Sequence, residues 1–132
     1  MQEDMPAAYA AFELYLDVHY VLQGFVQADF EVLVIYACVA EATLRPHVRG
    51  KRPADLRASP AAFSGSISRL LVADRTGLAR ETVRRKIASM LDAGLLVRAG
   101  RGSVAITAQP FRQYAHEISA AVARYRQGDA RA

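Results

Sequence analysis

The stretch "GLARETVRRKI", residues 77–87, gathers four basic side chains and one acid on a short predicted helix. Helical geometry turns Arg80, Glu81, Arg84 and Arg85 outward and Val83 and Ile87 inward. A guanidinium can grip guanine O6 and N7 with two hydrogen bonds, and a glutamate can accept from cytosine N4, so this row has the chemistry for reading DNA base edges. Around it stand Ser68, Arg69, Arg75, Thr82, Lys86, Arg98 and Arg101, whose side chains suit phosphate and would hold a duplex without reading it. The plain alternative is a solvated helix face carrying i,i+4 pairs such as Glu81 with Arg85. Such faces usually balance their signs, and this one does not.

Other chemistries have little support. His19, His47 and His116 fall on separate segments with no paired ligand spacing, so no metal is expected. Cys38 is the single cysteine, which excludes an internal disulfide and a cysteine-rich zinc site. It lies in the apolar run "VLVIYACVAEA" and is expected to be an inert buried thiol rather than a redox sensor, because reactivity needs exposure and cationic neighbours. There is no glycine-rich phosphate loop, nucleophile elbow or catalytic carboxylate pair. The chain is therefore expected to be neither an enzyme nor a carrier of a cofactor.

Charge is strongly segregated. Residues 1–44 hold seven acids and no Lys or Arg, whereas residues 45–101 hold thirteen Lys or Arg against four acids, within a net charge of +4. A local positive excess of this size is the footprint of a surface that meets polyanions. With 132 residues, 52% apolar and 23% charged, the chain has the composition of one folded unit. Its longest uncharged runs are too short to span a bilayer, and its acidic start lacks the positive region of a secretion signal. No membrane partner is expected, and the expected location is cytoplasmic, with the nucleoid.

The elements that must position these residues follow from periodicity and punctuation. Residues 7–27 read as a helix apolar almost all round. Asp29 can cap a second one to about Leu44, where Pro46 ends it. These two greasy helices need covering from more than one side, which predicts a dimer. Tyr9, Phe12, Tyr15, Tyr20 and Phe25 suit that interface, with a ligand pocket as the less favoured use. Residues 45–65 form a basic connection with three prolines, and "PADLR" within it suggests a short helical turn. Next come a short helix over 68–76 with Ser68 as N-cap, a turn at Gly77 and Leu78, and a helix over about 80–93 closed by Gly94. "LLVR", "AGRG" and "SVAIT" then predict a two-stranded hairpin tipped by residues 99–102. A last helix runs from about Pro110 to Arg126, with Phe111, Tyr114, Ile118, Ala121, Val122 and Tyr125 on one face.

Helix, glycine turn, helix and basic-tipped hairpin is the order of a winged helix-turn-helix. Ala73 leaves room for the helix crossing, Gly77 permits the turn, and Val83 fills the space beneath, with Leu78, Ile87, Met90 and Leu91 completing the inner face. The expected fold is thus mainly α with a small β-hairpin wing. A DNA-binding module over 66–108 is preceded by a dimerising helical hairpin (1–44) and the connection (45–65), and followed by a dimerising helix and tail (109–132).

Over residues 67–107, "ISRLLVADRTGLARETVRRKIASMLDAGLL" and the hairpin after it resemble the DNA-binding module of the catabolite-activator (Crp/Fnr) family, most closely at "RETV" followed by Arg85. None of that family's cyclic-nucleotide domain is present. The flanking helices are instead similar in arrangement to the small dimeric MarR-type regulators. Three positions depart from the family pattern: Ala79 stands where a Ser or Thr usually caps the helix, Lys86 where an apolar residue is common, and Arg84 where a small one is common. The resemblance implies a homodimeric transcription regulator on double-stranded DNA. A small-molecule effector and a winged helix that binds protein instead of DNA remain as alternatives.

Overall fold

The computed structural model describes residues 1–26, 29–49 and 65–131. Among them the chain is mainly helical, with one small three-stranded antiparallel sheet. Its contacts divide it into two compact units, Ala28–Phe111 and Met1–Gln27 with Arg112–Ala132. The second helix belongs to the unit that contains the helices and strands following it.

Helix α1 (Met5–Val26) belongs to the smaller unit, and in the larger one helix α2 spans Phe30–Val48. Asp29 caps it by accepting the Val32 N–H at 2.9 Å. Pro46 does not end it, contrary to the expectation of a stop near Leu44. The proline lies in the last turn, where the N–H it lacks would have served only the Ala42 carbonyl. Gly65 comes back against that spot so closely that a Cβ on it would lie 2.5 Å from the Thr43 carbonyl and 2.8 Å from Pro46 Cδ. The first residues of the basic connection are therefore helical, while the turn expected at "PADLR" lies outside the described residues.

Strand β1 (Ile67–Ser68) leads into α3 (Arg69–Thr76) and α4 (Arg80–Asp92), followed by β2 (Leu96–Arg98) and β3 (Ser103–Ile106). The expected hairpin forms between β2 and β3, and a strand the sequence did not predict joins it: β1 adds to the free edge of β3, giving the order β1-β3-β2 with Ile67 opposite Val104 and Leu96 opposite Ile106. Central β3 is buried at Val104, Ala105 and Ile106, as a strand covered on both faces must be. Ile35, Tyr36 and Val39 of α2 are buried too, as are Val72, Ala73, Val83, Ile87 and Met90 of α3 and α4. Thr43 links α2 to the sheet: its buried hydroxyl donates to the Val39 carbonyl at 2.8 Å and accepts the Ile106 N–H at 3.1 Å.

The smaller unit contains a 3₁₀ turn at Gln2–Asp4, helix α1 (Met5–Val26) and most of α5 (Ala108–Arg131). Helix α5 begins two residues before Pro110, because a proline within the first turn removes no intrahelical bond. The two helices meet where the Phe25 and Tyr114 rings lie 6.0 Å apart and where Arg124 faces Asp17 at 3.5 Å. Ala10 and Leu22 of α1 and Tyr114 and Ala121 of α5 are buried. The opposite side of α1 is uncovered, with Tyr9, Phe12, Leu16 and Tyr20 all exposed.

Candidate nucleic-acid interface

Local sequence chemistry builds the α3–α4 corner. The Ser68 hydroxyl caps α3 by accepting the Leu71 N–H at 3.2 Å. At its other end Gly77 takes φ +75°, a left-handed conformation that other residues adopt at a cost, and its N–H donates to the Ala73 carbonyl at 2.9 Å. Thr76 steadies the exit, its hydroxyl donating to the Val72 carbonyl at 2.7 Å and accepting the Leu78 N–H at 3.3 Å. Ala79 is the N-cap of α4 and gives it no side-chain bond, as its residue type foretells. The far end of α4 closes with paired bonds, Gly94 N–H to Leu91 O and Leu95 N–H to Met90 O, the pattern of a Schellman cap.

With Val83, Ile87 and Met90 buried, the other side of α4 faces solvent. Arg80, Glu81, Arg84 and Arg85 are all exposed there, and Thr82 is half-buried. Glu81 pairs with Arg84 rather than with Arg85: Arg84 Nε donates to Oε2 at 3.0 Å and Nη2 to Oε1 at 2.5 Å. This two-point grip holds the Glu81 carboxyl below the usual carboxylate range. No acid of the described residues lies within ion-pair distance of Arg80 or Arg85. Arg98 ends β2 and Arg101 stands at the hairpin tip between Gly100 and Gly102; both are exposed, again without an acidic partner among the described residues.

The remaining candidate phosphate contacts divide. Arg69 opens α3 and is half-buried, and the Ser68 hydroxyl is occupied by its cap. Arg75 lies 3.4 Å from Glu41, a carboxylate that also takes both arms of Arg45 and is held below its ordinary range by them. Lys86 turns toward the start of α2, its ammonium 2.5 Å from Asp29 and 3.8 Å from Glu31, with its stem largely covered. Sequence reasoning grouped Lys86 with the phosphate contacts and did not find where its head goes. The acids at the start of α2 were the available signal, but nothing in the local pattern joins residues 57 positions apart.

Compared with known proteins, the chain matches no family model, no curated protein and no solved structure. Elsewhere, Cys38 is half-buried and desolvation raises its thiol pKa, which disfavours the thiolate. Of the aromatic set on α1, Phe25 meets the ring of Tyr114 among the described residues. A cleft of about 300 Å³ is lined instead by Glu13, Leu14, Asp17, Ala121, Arg124, Tyr125 and Gln127. No described helix is long and apolar enough to cross a membrane.

Proposed function

We propose that residues 66–108 are a winged helix-turn-helix and that the chain is a homodimeric, sequence-specific transcription regulator of double-stranded DNA. The observation that carries this is the solvent face of α4, where Arg80, Arg84 and Arg85 stand together beside a single acid. The α4 N-terminus adds amide groups that no side chain caps, and a helix start attracts phosphate. In this reading α4 enters the major groove, Arg80, Glu81 and Arg85 read base edges, and Arg84, with Glu81 in its grip, sets how that row meets the groove. Arg69, Arg98 and Arg101 hold phosphates. Arg75 and Lys86, each paired with acids of α2, contribute less. Two copies related by a two-fold axis would read an inverted repeat with half-sites about one helical turn apart.

Binding-site selection on wild type, Arg85→Ala and Arg101→Ala tests it. Loss of Arg85 is expected to cost about 1–3 kcal/mol and relax one base position per half-site, whereas loss of Arg101 weakens all sequences alike. An unchanged consensus for Arg85→Ala would show that α4 does not specify sequence. Leu70 and Leu71, exposed on α3, favour the second reading, a module that binds protein. Absence of any duplex binding at low salt would select it.

A further inference from the structure

The uncovered side of α1 has a regular spacing. Met5, Tyr9, Phe12 and Leu16 follow one another at intervals of four, three and four residues, and His19 and Gln23 continue the series. That alternation averages 3.5 residues, the repeat that lets one helix seat its side chains between those of another. Tyr15 and Tyr20 flank the row. Met5, Tyr9, Phe12, Tyr15, Leu16 and Tyr20 are 57–83% exposed. We propose that this row of α1 is the surface on which a second copy of the chain docks, α1 against α1, closing a four-helix arrangement with the two α5 helices. The assignment deepens the homodimer in the proposed function and does not depend on DNA binding.

Area and charge both select a second copy as the occupant. At roughly 200 Å² for each large side chain, the six expose roughly 800 Å² per copy, about what one partner contributes to a stable protein interface. An apolar stripe this large is uncommon on a monomer. The charges of the unit are self-complementary. The 3₁₀ turn and α1 carry Glu3, Asp4, Glu13 and Asp17 and no Lys or Arg, while the sequence of α5 holds Arg112, Arg124, Arg126 and Arg131 against Glu117 and Asp129. In a two-fold pair the acids flanking one seam can face arginines of the other copy, as Asp17 already faces Arg124 within one copy. Helix α1 by itself would repel an equally acidic partner that lacked such an α5.

Sedimentation velocity on the full chain gives the first test. Wild type is expected to be a dimer at micromolar concentration, and Phe12→Glu or Leu16→Glu to weaken self-association by on the order of 100-fold or more, since each puts a charge into an apolar contact. Both residues are exposed in one copy, so helix content by circular dichroism should hold. Disulfide trapping gives a second test that does not require a disruptive charge. In a Cys38→Ser background, Phe12→Cys is expected to form a covalent dimer on oxidation, and Ala11→Cys, exposed but off the row, is not. A monomeric wild type, or trapping no better at position 12 than at 11, would overturn the assignment whatever the outcome with DNA. Loss of specific DNA binding with the dimer intact would instead count against the reading of α4.

Discussion

Asp29 serves two partners at once, accepting the Val32 N–H as the cap of α2 and pairing with Lys86 of α4. Both hold its carboxyl below the ordinary 3.8, the Lys86 bond most. A carboxyl depressed on folding stabilises the fold fully above its unfolded pKa, and that contribution is lost as pH falls through the lower folded value. Asn at this position still caps but carries no charge. Urea melts of wild type and Asp29→Asn are therefore expected to differ at pH 7 and to converge as the pH drops below 3.8; a gap that persists in acid would mean that the ion pair is not its source. Ala79 offers the opposite case, a cap position left empty. Its extended backbone, φ −62° and ψ 143°, already suits a capping side chain. Ala79→Ser is expected to add about 0.5–2 kcal/mol to stability, read as a higher midpoint in the same melts.

One buried hydroxyl bonds helix α2 to the hairpin. Thr43→Val keeps the shape of the side chain but leaves the Ile106 N–H without its acceptor, at an expected cost of about 1–3 kcal/mol. Thr43→Ser, which retains the hydroxyl, is expected to preserve the Ile106 amide's slow hydrogen exchange, while Val accelerates it. This link marks where sequence reasoning stops. The α3–Gly77–α4 corner, the Gly94 end and the β2–β3 hairpin were legible because each is fixed by residues a few positions apart. The continuation of α2 past Pro46 was not, since a proline this late in a helix removes a single intrahelical bond and need not end it, and the return of the chain at Gly65 beside it is tertiary. Strand β1 was invisible for a similar reason: two residues carry no periodicity, and only the edge of β3 makes them a strand. At the candidate site the outward row of α4 could be read from helical phase, whereas the ties of Lys86 to Asp29 and of Arg75 to Glu41 are tertiary.

Across the whole molecule, positive charge gathers in residues 45–101 and acid in residues 1–44. A dimer that replaces counterions at about 6–10 phosphates is expected to lose roughly 10³–10⁵ in affinity between 50 and 200 mM salt, as fluorescence anisotropy on a labelled duplex would measure. A flat response would remove the electrostatic case for a DNA partner. The return of the chain at Gly65 has a consequence for how the polypeptide could be lengthened. It departs from α2 at Arg49 and comes back beside Ala42, Thr43 and Pro46 of the same helix, so both anchors of the segment 50–64 sit at one helix end. Anchors this close can be joined by chains of different length, and for a flexible connection doubling the length changes the closure entropy by only about 0.6 kcal/mol. A whole additional domain inserted between these two anchors is therefore expected to leave the register of the sheet and the face of α4 as they are.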